Sequence, residues 1–156
     1  MYKLYHYSDS PLMLSKDHFY NESRRFKPTG LWLSVGNDWA KWCRREKFNL
    51  PGLSYRTEVT LIDTSKILYV RSQEDLDMIE KEYEEILQTY FPFCTCNWAK
   101  MKEKYDGIII DQDTTDLYAN GFRNGGMMDW IETWDVLSGC VWNFDIIQVG
   151  KTKKLS

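Results

Sequence analysis

The chain has 156 residues, a length suited to one domain around one core. Its formal net charge of −3 argues against a protein that coats nucleic acid by bulk electrostatics. No apolar run approaches the ~20 residues of a membrane span, and Met1–His6 lacks the basic-then-apolar layout of a signal peptide, so a cytoplasmic protein with no membrane partner is expected. The aromatic share of 15%, with seven Trp and ten Tyr, is heavy for a chain of this length. It has two readings: a core of large rings, or a pocket lined with flat surfaces for a flat ligand.

In chain order, residues 1–7 alternate weakly and predict a first strand, closed by the turn cluster Ser8-Asp9-Ser10-Pro11. Residues 15–29 are polar and read as a loop, followed by a short strand at Gly30-Leu31-Trp32-Leu33-Ser34. Asn37 or Asp38 is placed to cap a helix over about 38–47, on which Trp39, Trp42 and Cys43 share a face. Alternation predicts a strand over 55–62, and a shorter one follows at 66–70. Ser72-Gln73-Glu74-Asp75 has the form of a capping box, and Leu76, Ile79, Tyr83, Leu87 and Tyr90 then repeat at helical spacing until Phe91-Pro92. A short helix is expected over 97–104, a buried strand over 108–111, a loop or hairpin over 111–128, and a last strand over 141–149. Lys151 to Lys154 read as a solvated tail. With no strict alternation of strand and helix, the expected class is a single α+β domain with a split or mixed sheet over residues 1–156, not a doubly wound one.

Several chemistries lack their motifs. Neither Gly-rich phosphate loop is present, nor is HExxH or G-x-S-x-G. Cys94-Thr-Cys96 is too tightly spaced for the usual zinc pair and has no second pair, so no metal is expected. The four cysteines, Cys43, Cys94, Cys96 and Cys140, are expected to be free thiols. A basic cluster remains in Arg24, Arg25, Lys27, Arg44, Arg45 and Lys47: a solvated face, or a site for a diphosphate or a nucleic acid.

What remains is an ordered set: His6-Tyr7-Ser8, then Gly30-Leu31-Trp32-Leu33-Ser34, then Asp38-Trp39-Ala40-Lys41-Trp42-Cys43, and at the end Phe144-Asp145-Ile146-Ile147-Gln148-Val149. In these patches the sequence resembles the NAD-binding core of the ADP-ribosyltransferases, in the branch that includes the poly(ADP-ribose) polymerases. That branch carries His-Gly-Ser or His-Gly-Thr on its first strand, then Gly-Ile-Tyr-Phe-Ala, then a helix with Ser-x-x-x-Tyr-Cys, and a Tyr-Asp-Val-Ala-Gln-Val strand. The resemblance implies a split, mainly antiparallel sheet with short flanking helices. It implies NAD as the substrate and a protein, DNA or RNA acceptor of the ADP-ribose. It places His6, Tyr7, Ser8, Gly30, Trp32, Ser34 and Trp42 around NAD, with Arg24 and Arg25 as candidates for its phosphates.

Physical chemistry supports these residue types. Loss of nicotinamide leaves an oxocarbenium-like ribose, so a site must hold the ribose hydroxyls, flank the ring and bring up a carboxylate. A His beside a Ser supplies the hydrogen bonds, and Trp32 and Trp42 supply flat faces. The chain departs from the family in three places. Trp32 stands where the family has Tyr, Tyr7 stands where it has Gly, and Cys140 falls in the register of the family's Glu. The nearest acids are Asp135, Glu132 and Asp129; Asp135, in a predicted turn before the last strand, is the first candidate for the catalytic carboxylate and Glu132 the second. Alternative readings are an NAD glycohydrolase, an RNA 2′-phosphotransferase of the same fold, or a module that binds NAD or ADP-ribose without turning it over.

Overall fold

The computed structural model describes residues 2–15, 26–88, 92–113 and 128–155. Among these, the chain forms an α+β domain with a mainly antiparallel sheet. The strands are β1 (Leu4–Ser8), β2 (Leu31–Val35), β3 (Tyr55–Leu61), β4 (Ile67–Tyr69), β5 (Glu84–Leu87), β6 (Phe93–Cys96), β7 (Gly107–Ile110), β8 (Met128–Asp129), β9 (Ser138–Val141) and β10 (Ile147–Lys154). The helices are α1 (Asp38–Glu46), α2 (Gln73–Tyr83) and α3 (Trp98–Lys102). The larger sheet runs β10-β3-β1-β2-β9-β7-β4, with only the β4–β7 pair parallel; the smaller runs β5-β6-β8.

The two faces of the larger sheet serve different cores. Residues directly opposite across neighbouring strands share a face, and Trp32 opposes Cys140, which opposes Ile108. That face packs on Leu76, Ile79 and Tyr83 of α2 and on Trp98 and Met101 of α3. The alternate residues Leu31, Leu33, Ile109 and Val141 join Leu4, Val59 and Ile67 in a second core. Each of these large side chains contributes about 1.5–3 kcal/mol by leaving water. The strand β7 is buried at all four residues, as its unbroken apolar run requires when both faces are covered. A third, smaller cluster of Ala40, Cys43 and Leu53 fixes α1 beside Tyr7.

Three sequence expectations change. The helical repeat from Leu76 does not reach Leu87: α2 ends at Tyr83, and the next four residues form β5, hydrogen-bonded to β6. The ladder with 93–96 outweighs the local helical preference of 84–87; Tyr90 and Phe91 lie outside the described residues. The expected single strand over 141–149 is two strands. After β9, the backbone N–H groups of Trp142 and Asn143 both donate to the Asp106 carbonyl, and Asn143 Oδ1 accepts from the Asp145 N–H to start a 3-10 turn at Phe144–Ile146. The chain then crosses to the far edge of the sheet as β10. Lysines 151, 153 and 154 are therefore not a free tail but exposed positions on an edge strand paired with β3, where charge discourages pairing with another chain. The expected loop over 111–128 falls mostly outside the described residues.

Candidate functional site

The site begins where β1 and β2 part. The two strands pair only at Leu4–Val35 and Tyr5–Ser34, whereas β1 pairs with β3 along its whole length. Beyond Tyr5 the ladder on the β2 side is missing, and His6 Nδ1 lies 2.8 Å from the Trp32 carbonyl oxygen. A carbonyl can only accept, so Nδ1 carries the proton. Burial holds the ring's pKa below its ordinary 6.5, partly offset by that hydrogen bond. At neutral pH His6 is therefore uncharged and its Nε2 is a hydrogen-bond acceptor.

The parting opens a cavity of about 310 Å³, lined among the described residues by Tyr5, His6, Tyr7, Trp32, Ser34, Trp39, Trp134 and Asp135, together with Lys27, Leu33, Asn49, Val136 and Ser138. This is the lower end of the size range for small-molecule sites. Its aromatic wall is Trp32 tilted against Trp134 at 5.0 Å between ring centroids. Trp134 is buried, and its indole N–H has no hydrogen-bond partner among the described residues. Asp135 follows directly, exposed at the rim. A second hollow of about 390 Å³ shares Trp134, Asp135 and Val136 with the first and is lined in part by Asp38, Lys41, Trp42, Arg45 and Asp113.

Each residue singled out in the sequence now has a place. His6, Tyr7, Trp32, Ser34 and Asp135 line one cavity. Ser34 also anchors α1. Its buried Oγ accepts from the Trp39 N–H at 3.1 Å and donates to the Gly36 carbonyl, supplying the cap that Asn37 does not. Trp42 faces the second hollow and stacks on Trp39 at 5.3 Å, so it supports a cavity residue from behind. Ser8 is turned away, its hydroxyl donating to the Ser10 carbonyl. Gly30 packs against β9: a Cβ there would lie 2.8 Å from both Cys140 Sγ and the Val141 carbonyl oxygen, so the glycine permits close strand approach. Glu132 is outside the cavity lining; its carboxylate accepts from the Asp129 N–H in a capping box of the 3-10 turn Trp130–Thr133. Cys140, in the register of the family's Glu, is a fully buried thiol opposite Trp32. Ser138 and Gly139, which precede the strand expected over 141–149, belong to β9. Arg24 and Arg25 lie outside the described residues.

The sequence reading did not anticipate Tyr5, Trp39, Asn49 and Trp134 as cavity residues. Trp39 carried a signal, since it leads the aromatic face of α1. Trp134 and Asn49 carried none, because they reach the site from connections whose course is tertiary. Elsewhere, Glu80, Glu84 and Asp129 bring one carboxylate oxygen each within 4.8 Å of one another, but Asp129 already accepts from the Ile131 N–H. All four cysteines are buried thiols, and burial raises Cys96 well above its ordinary value, with Asp129 and Glu84 adding to the effect. Among the described residues no helix is long and apolar enough to cross a membrane. In comparisons with known proteins, no family model, no curated protein and no solved structure matches the chain.

Proposed function

We propose that this protein is an NAD-dependent mono-ADP-ribosyltransferase that cleaves the nicotinamide–ribose bond and passes ADP-ribose to a macromolecular acceptor. The reading rests on the opening between β1 and β2, where a neutral His6, three indole rings and one carboxylate meet in a single cavity. In this reading His6 Nε2 accepts a hydrogen bond from a ribose hydroxyl. Trp32 and Trp134, packed on each other, form one aromatic wall against which the nicotinamide ring stacks, offset or tilted contact adding about 0.5–1.5 kcal/mol beyond burial. The C–N bond breaks with its electron pair leaving on nicotinamide, and positive charge builds on the anomeric carbon. Asp135 stabilises that charge, and an acceptor nucleophile then bonds to the carbon and gives up its proton.

A specific observation favours a second reading. Asp135 is exposed, and water weakens the field of an exposed carboxylate. A module that holds NAD or ADP-ribose without turnover would tolerate that. Bound NAD, by filling the cavity and excluding water, would remove the objection. Nicotinamide release from NAD by the purified protein separates the two readings. The acceptor follows from incubation with adenylate-labelled NAD and a cell extract, then separate protease, DNase and RNase digestion. Label freed by one treatment names the acceptor class, nicotinamide release without retained label indicates hydrolysis, and no nicotinamide release at all defeats the enzyme reading.

A further inference from the structure

The transfer chemistry gives no role to Lys27, a charged residue of the cavity lining. Among the described lining residues, Lys27 is the single cation and Asp135 the single carboxylate. Lys27 is half-buried, and its ammonium makes no hydrogen bond or ion pair with a described residue. It lies over the Trp32 ring face, 5.9 Å from Nζ to the centroid, close to the outer limit of a useful cation–π contact. Burial accordingly lowers its pKa, and the negative charge of Asp135 offsets the drop in part. A half-buried ammonium with no hydrogen-bond or ion-pair partner among the described residues gains from an arriving anion.

The cavity thus carries one positive group, Lys27, and one negative group, Asp135, close enough that the charge of Asp135 acts on Lys27. Oxidised NAD has the matching polarity: a cationic pyridinium ring at one end of the ribose and an anionic diphosphate at the other. Building on the NAD reading, we infer that Lys27 is the diphosphate anchor of the cavity and orients the ligand so that its pyridinium ring faces Asp135. Binding then gives Lys27 its counter-ion in the ligand and leaves the charge of Asp135 directed at the glycosidic bond. Reduced NAD, whose ring is neutral, keeps the anchor and loses the attraction at the other end.

The experiment compares wild type, Lys27→Ala and Lys27→Arg by titration calorimetry with NAD, ADP and nicotinamide riboside, alongside nicotinamide release from NAD. For Lys27→Ala, binding of NAD and ADP is expected to weaken about tenfold or more, with riboside binding within about twofold, and Lys27→Arg is expected to recover most of the loss. The thermal midpoint of each variant, read in parallel, reports whether the fold is intact; Lys27→Arg keeps the test open if Lys27→Ala does not fold. Equal weakening of NAD and riboside would mean that Lys27 only props the Trp32 ring. Unchanged ADP binding, or wild type that binds neither ADP nor NAD, overturns the anchor. Wild type that binds ADP through Lys27 yet releases no nicotinamide keeps the anchor and defeats the transferase reading. Turnover of NAD with an unchanged KM in Lys27→Ala does the reverse.

Discussion

At the scale of single residues, burial decides what His6 can do. Its pKa is lowered in the folded chain, so over the interval between that value and the ordinary 6.5 the unfolded chain binds more protons. The stability that His6 contributes is therefore complete above about pH 6.5 and declines as the pH falls through the folded value. Thermal midpoints at about pH 7.5 and 5.5 are expected to show this loss in wild type and a smaller one in His6→Asn. NAD affinity should fall only as the pH drops through the lower folded value, where protonation of native His6 removes the Nε2 acceptor. The two acids near the site make opposite predictions. Asp135→Asn is nearly isosteric and is expected to keep NAD affinity within a few fold while turnover drops about a hundredfold, the typical effect of losing one preorganised electrostatic group. Glu132→Gln should leave turnover intact, because its carboxylate caps a turn outside the cavity. Full nicotinamide release by Asp135→Asn would remove Asp135 from the mechanism.

At the scale of elements, the site depends on how α1 is started. Asn37 occupies the cap position without making a side-chain cap hydrogen bond, and Ser34, three residues earlier on β2, receives the Trp39 N–H instead. That bond joins strand to helix and sets the position of Trp39 in the cavity. Replacing a helix-capping hydroxyl costs about 1 kcal/mol, so Ser34→Ala should lower unfolding free energy by about that amount in urea titration and also weaken NAD binding. A stability loss with NAD affinity unchanged would show that the position of Trp39 does not matter to the ligand. The helix then serves two hollows from one stacked pair, with Trp39 lining the first and Trp42 the second.

At the scale of the whole molecule, a polar clamp ties three separated segments together. Asp111, just past the end of β7, accepts two hydrogen bonds from the Arg71 guanidinium at the end of β4 and a third from the Tyr2 hydroxyl before β1. The Asp111 side chain is only 3% exposed. Arg71 holds the Asp111 carboxyl below its ordinary 3.8 against the opposing effect of burial, and Tyr2 helps. The sign follows from that direction: the clamp is fully present above the unfolded value of 3.8 and is lost as the pH falls through the lower folded value. Asp111→Asn removes one charge of a partly buried pair and should cost about 2 kcal/mol at neutral pH, measured by urea unfolding, with less difference from wild type near pH 3. An unchanged midpoint at neutral pH would show that the clamp contributes nothing net.

Much of the scaffold was legible in local pattern. The alternation over 55–61, the apolar run of β7, the aromatic face of α1 and the Ser72 cap of α2 all express periods and hydrogen bonds that close within a few residues, and the structure keeps them. His6, Trp32 and Asp135 were legible as candidates because their chemistry is unusual in its setting, and the fold brings them to one cavity. Other features depended on distant segments. Whether 84–87 continues a helix is decided by the partner strand at 93–96, and whether 141–149 is one strand or two is decided by the Asp106 carbonyl. Where β1 leaves β2, how far Lys27 is buried, and the meeting of Trp134 with Trp32 are set by segments about 25 to 130 residues apart in the chain. The sequence by itself determined the periods, the caps and the chemical types available. The tertiary structure alone decided which of them share a cavity, because burial and contact between distant segments are properties of the packed chain and leave no local repeat to read.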